Sequence, residues 1–275
     1  MQPFALSKMP VVLGDTVQYS MRTTEGLLDL MPFIGQAFTI RATGRLTCTC
    51  CGKEVRKFYG QGMCFPCLQN APEAGECIVR PELCRAHLGE GRDPDWEIAH
   101  HATEHTVYLS RTSAATATTT GIKVGVTRST QVPTRWIDQG AVAALPIAHV
   151  PYRQLAGLIE MDLKRSLADR TDWRAMLRAV ECDGTDLEAL RQRIPELLST
   201  ELHRYLVSSE KATRINYPVL GLPAKVTSVQ LAKSPEVTGR LIGIKGQYLV
   251  WEDGRVLNVR NHSGYHVTME FLERS

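Results

Sequence analysis

Seven of the eight cysteines fall between positions 48 and 84, and Cys182 stands alone downstream. The chain opens Met1-Gln2-Pro3-Phe4, without a charged segment leading into an apolar one. No secretory signal is therefore expected, and clustered cysteines read as metal ligands before disulfides. Their order is Cys48-Thr-Cys-Cys51, twelve residues, then Cys64-Phe-Pro-Cys67. Two such knuckles each present two thiolates to one tetrahedral ion, and Zn2+ has no d-electron geometry to violate. Gly52 and Gly62 supply tight turns beside the sulfurs. Cys48, Cys51, Cys64 and Cys67 are the expected zinc ligands, with Cys50 a bystander or a substitute for Cys48. Four protein ligands leave no open position for a water, so this zinc builds structure and does no chemistry. A second set follows: Cys77, Cys84, His87, His100, His101 and His105. Its spacing allows another zinc on Cys77, Cys84 and an imidazole such as His101. The alternative is two buried thiols and a few surface histidines.

Further along, Thr106-Val107-Tyr108 is followed by Lys123-Val124-Gly125-Val126-Thr127. Arg135 lies ten residues beyond Gly125, and Glu160 a further 25 on. This order resembles the catalytic set of GIY-YIG nucleases, in which two paired strands precede a helix arginine and a helix glutamate. The chain as a whole also resembles an uncharacterised bacterial family joining cysteine knuckles to such a core. The phrases that carry the likeness are Gly62-Met-Cys-Phe-Pro-Cys67, Lys123-Val-Gly-Val-Thr-Arg128, Arg135-Trp-Ile-Asp-Gln-Gly140 and Gly243-Ile-Lys-Gly-Gln-Tyr-Leu249.

The resemblance implies a chemistry. Tyr108 would help deprotonate a water attacking a phosphodiester. Glu160 would hold a catalytic Mg2+ that polarises the phosphate, and Arg135 would bind phosphoryl oxygens through its guanidinium fork. Gly125 would let backbone and substrate approach where a Cβ would obstruct. Two positions depart from the pattern. Lys123 stands where the name-giving motif has tyrosine, which changes the proton-transfer path. Gly91 stands where the resemblance leads one to expect a cysteine. The same residues also have plainer readings. Glu160 and Lys164 make a favourable i, i+4 pair, Arg135 and Asp138 sit at i, i+3, and a strand tyrosine is ordinarily core.

Charge is distributed in blocks. The net charge is +3 overall, but +3 over 1–72, −5 over 73–107, +5 over 108–180, −4 over 181–210 and +4 over 211–275. Basic blocks separated by acidic ones suit a phosphate-binding protein. Arg128, Arg135, Lys245 and Arg260 are the expected nucleic-acid contacts, and Tyr248, Trp251 and Tyr265 could add a stacking face. The expected partner is DNA or RNA, a ribosomal surface included. A non-catalytic binder or a scaffold acting through the acidic segments is the alternative to a nuclease.

The elements that must position these residues form an α+β protein. Hydrophobic residues make 43% of the 275, and Gly (21) and Pro (14) are ordinary in number, which excludes collagen, low-complexity disorder and a coiled-coil rod. No apolar run approaches the roughly 18 residues of a span, and the best candidate, 27–34, contains Asp29 and Pro32, so no membrane span is expected and the protein reads as cytoplasmic. Strands are expected at 16–22 and 37–46, and a hairpin from 107–109 to 122–126 with a mobile tip over Thr112 to Thr120. Helices are expected over Pro133 to Ala144 and Tyr152 to Ala168. Another opens at the capping box Thr185-Asp186-Leu187-Glu188 and runs towards Leu206, with a break or kink at Pro195. A β-meander follows Lys225, closing a small barrel with N-terminal strands. The expected divisions are a β segment (1–47), a zinc module (48–105), a GIY-YIG-like core (106–180), a helical segment (181–214) and a β-rich end (215–275).

Overall fold

A computed structural model describes residues 1–112, 121–167, 172–178 and 185–271. The chain divides into one unit of 1–69 with 216–275 and a second of 70–215. The first unit opens with strands β1 (Phe4–Ala5), β2 (Val11–Val12), β3 (Gln18–Thr23), β4 (Gly26–Asp29) and β5 (Ala37–Leu46), then helix α1 (Phe65–Asn70). The second holds α2 (Pro94–His101), β6 (His105–Arg111), β7 (Ile122–Arg128), α3 (Thr134–Asp138) and β8 (Ala143–Val150). It continues with α4 (Arg153–Lys164), α5 (Trp173–Arg178), α6 (Thr185–Leu197) and β9 (Thr213–Arg214). The chain then returns to the first unit with β10 (Thr227–Ser228), β11 (Glu236–Lys245), β12 (Tyr248–Trp251), β13 (Arg255–Asn258) and β14 (Tyr265–Phe271). The fold is mixed α and β, with several sheets. Among the described residues, no helix is long and apolar enough to cross a membrane.

In the first unit, β11 and β14 flank β5, each antiparallel to it, so the C-terminal strands do join an N-terminal one. The expected barrel does not form. The order β1-β14-β5-β11-β12-β13-β10 ends in two-residue strands at each edge, and these do not meet. Alternation gives the sheet its core: Phe38 and Ile40 of β5, Val267 and Met269 of β14, and Trp251 of β12 are all buried. β2, β3 and β4 make a separate sheet.

In the second unit the order is β7-β6-β8-β9, and every neighbour is antiparallel. β6 and β7 form the expected hairpin, with Tyr108 opposite Gly125. Beyond Thr112, its expected tip lies outside the described residues. The helix expected over Pro133 to Ala144 is shorter. It ends at Asp138, Gly140 turns the chain at φ +70°, and Ala143 already begins β8. The alanine-rich run 141–148 resembles a helix in composition, yet it is a buried inner strand whose small side chains fit between two neighbours. Pro146 is tolerated because it sits where the register of β6 and β8 shifts.

Helix α4 buries Leu155, Ile159 and Leu163, one turn apart, in the core that β6, β7 and β8 share. α6 continues through Pro195 and stops at Leu197; a 3-10 turn over Thr200–Tyr205 takes its place. Residues 71–93 form only short 3-10 turns before α2, which Asp93 caps by accepting from the Trp96 amide.

Gly157 fixes how α4 meets these turns. A Cβ at that position would overlap the backbone of Pro81 and Glu82, which cannot rotate away as a side chain could. Gly157→Val is expected to cost about 1–3 kcal/mol, the range for forcing bulk into a packed core. Thermal or urea denaturation checks it, and an unchanged midpoint would contradict this packing.

Candidate functional site

The first knuckle follows β5. Cys48 donates its amide to the Lys53 carbonyl and accepts the Gly52 amide on its own, which folds 48–53 into a tight loop. Gly62, at φ +76°, opens the second knuckle; a Cβ there would lie 2.6 Å from Thr49 Cγ2 and 2.8 Å from the Ser263 carbonyl. The result brings one sulfur each from Cys48, Cys51, Cys64 and Cys67 within 4.8 Å of one another. Cys51 and Cys64 are 3.9 Å apart, and the Cys64 amide donates to Cys48 Sγ at 3.3 Å. Tetrahedral zinc with bonds of about 2.0–2.3 Å sets its ligand atoms roughly 3.3–3.8 Å apart. The cluster could therefore hold a metal such as zinc. Burial alone would raise the Cys48 thiol, but the amides of Cys51, Cys64 and Cys50 bring it down to about 6. Cys50 itself is exposed and lies outside the set.

A second buried cluster joins Cys77, Cys84, Glu97 and His101, again with ligand atoms within 4.8 Å. It unites the cysteines and the histidine singled out from sequence and adds Glu97. The other histidines are engaged elsewhere: His87 stacks on Tyr152, and the Nδ1 atoms of His100 and His105 pair with the carbonyls of Trp96 and Thr103. Burial, the largest cause, pushes His105 down to about 4.

Lys123, Gly125, Arg135 and Glu160 all line one pocket of about 260 Å3, together with Arg153 and Lys164. Four cations thus surround a single carboxylate among the described residues of the lining. Lys164 Nζ lies 3.2 Å from Glu160 Oε2, so the plainer i, i+4 pair is present inside the pocket. Tyr108 stands behind the lining, fully buried, and its hydroxyl donates to Gln139 Oε1 at 2.9 Å. Burial is the main reason its phenol is pushed up to about 12, with the Arg135 guanidinium acting in the opposite sense. The space above Gly125 is filled by the Tyr108 ring, 2.7 Å from where a Cβ would sit. The glycine therefore admits its cross-strand neighbour.

The remaining basic residues are divided between the two units. Arg128 is half-buried at the end of β7, and Arg260 is exposed in the other unit. Lys245 is buried, with its ammonium 5.3 Å from the Tyr217 ring, and so presents no surface charge. Trp251 is core, while Tyr248 and Tyr265 are half-buried. Sequence reasoning missed Arg153, Lys164 as a pocket residue, and Glu97. The signal for Glu97 was its i, i+4 spacing from His101.

A family described as "Protein of unknown function (DUF2797)" matches residues 35–267. No curated protein and no solved structure matches the chain.

If the first cluster holds an ion, removing one ligand should release it and loosen the loops around it. Cys64→Ser is expected to lower the zinc content of purified protein by one equivalent per chain. Elemental analysis reads this directly, and unchanged zinc would contradict the ligand set.

Proposed function

The chain belongs to the DUF2797 family, and we propose that it is a zinc-stabilised nucleic-acid-binding protein whose second-unit pocket seats a phosphodiester. The observation that carries this reading is the convergence of Lys123, Arg135, Arg153 and Lys164 around Glu160 in one concavity. Such an excess of positive charge in a partly desolvated hollow favours an anion. Guanidinium forks add the two-point geometry that phosphate oxygens accept. The GIY-YIG resemblance supports the same pocket. Its strand pair sets Tyr108 opposite Gly125, and its arginine and glutamate both line the hollow. The substrate class is single- or double-stranded DNA or RNA, a ribosomal surface included.

Glu160 favours a second reading, since it is the one carboxylate among the described residues of the lining. It would hold a Mg2+ jointly with phosphate oxygens, as sites with few protein ligands do, and the ion would polarise the bound phosphate. Two features weigh towards binding over hydrolysis. The Lys164 ammonium already pairs with the carboxylate. Burial also pushes the Tyr108 phenol up from its ordinary value, which disfavours the phenolate that a general base would need. Tyr108 serves here as a hydrogen-bond donor that fixes Gln139 in the lining, not as a base.

Fluorescence anisotropy with short DNA and RNA tests the binding. Neutralising about three phosphates predicts a fall in affinity of roughly 40-fold between 50 and 200 mM salt. Arg135→Ala should lose about 1.5–3 kcal/mol, the worth of a charged hydrogen bond. Glu160→Ala should bind equally or more tightly, because a repulsive carboxylate is gone. No binding at 50 mM salt would contradict the proposal. In Mg2+, cleavage by the wild type that is lost in Glu160→Ala would establish the second reading. No cleavage in either protein supports the binder.

A further inference from the structure

Residues 70–104 enclose little apolar core of their own. Their buried cluster is Cys77, Cys84 and Ala86. Yet Glu97 and His101 are also buried there, each 4% exposed. Without a cation, thiolates and a carboxylate crowded together in the interior would repel one another and have lost their hydration. The distances instead suit a shared ion. Cys77 Sγ lies 3.7 Å from His101 Nδ1 and 4.0 Å from Glu97 Oε2, and that oxygen lies 3.9 Å from His101 Nδ1.

Glu97 is seated for ligation. Its Oε1 accepts the Arg92 amide at 2.9 Å, which leaves Oε2 turned to the sulfur and the imidazole. Gly91 makes the room, because a Cβ at that position would overlap the Glu97 carboxylate. Two sulfurs, an imidazole and one carboxylate oxygen form a tetrahedral set that selects Zn2+ over Mg2+ or Ca2+.

The same loop walls the pocket. Ile78, Val79 and Pro81, between the two cysteines, line it. Arg153 donates from Nε to the Cys77 carbonyl and from Nη2 to the Ile78 carbonyl, both at 3.0 Å, while lining the pocket itself. We propose that Cys77, Cys84, Glu97 and His101 hold one Zn2+, and that this ion fixes the wall over 76–84 that aims Arg153 into the pocket. Anion binding then depends on the metal, a consequence that rests on the reading of the pocket as a phosphodiester site.

The test uses the full chain and the isosteric Glu97→Gln. Wild type should carry two zinc equivalents. The variant should yield its second zinc to a chelator with about 100-fold lower affinity or better. Amide exchange over 76–84 should quicken in the variant, while exchange in 1–69 stays as in wild type. Chelator-treated wild type should show the same quickening without any substitution. Oligonucleotide affinity should fall about tenfold with loss of this zinc. A single zinc in wild type, or unchanged zinc affinity in Glu97→Gln, overturns the site. Zinc loss with unchanged exchange over 76–84 overturns its role in the wall. Absence of oligonucleotide binding by wild type overturns the phosphodiester reading alone, because zinc content and exchange are measured without any ligand.

Discussion

Arg153 holds the carbonyls of Cys77 and Ile78 with two nitrogens, and one turn later Gly157 lets the same helix rest on the backbone of Glu82. Most of the second unit's chemistry depends on that junction. α4 is the element that brings Arg153, Glu160 and Lys164 to the pocket, while its opposite face is locked into the sheet by Leu155, Ile159 and Leu163. The helix cannot shift without emptying that core. The loop it touches has no comparable core, so its position must come from the polar junction and from the buried Cys77, Cys84, Glu97 and His101 cluster. A polar constraint on one side and an apolar one on the other define where four cations meet.

The two clusters answer the same physical problem. Loops 48–67 and 76–101 are too short and too polar to bury much surface, and small modules of that kind need a covalent or metal staple. Each cluster gathers its ligands from two local elements: two knuckles in the first unit, a turn pair and helix α2 in the second.

Sequence made some of this legible because the chemistry is local. The Cys-x-x-Cys spacing identified the first cluster, alternation identified β5 and the β6–β7 hairpin, and a 3.6-residue apolar stripe identified α4. Other features depend on contacts that spacing does not encode. The Ala141–Ala148 run becomes an inner strand because neighbours on both sides demand small residues, which no local period reveals. Lys245 is basic in sequence but buried against Tyr217. The barrel failed on the edges, where β1 and β10 are two residues long. Glu97 carries little signal in sequence, because carboxylates are so often solvated that only cysteine and histidine spacing points to a metal. Gly125, expected to clear a path for substrate, also makes room for the Tyr108 ring.

The proposed seat of a phosphodiester is the pocket lined by Lys123, Arg135, Arg153 and Lys164. The most direct measurement follows the backbone amide of Gly125 and the side-chain Nε–H signals of Arg135 and Arg153 by NMR. Zinc-loaded protein is titrated with a dinucleotide carrying one phosphodiester. These signals should move together along one binding curve and fail to move with the parent nucleosides. If they stay fixed while signals of Arg240, Arg255 or Arg260 follow the ligand, the phosphate binds elsewhere and the central claim is wrong.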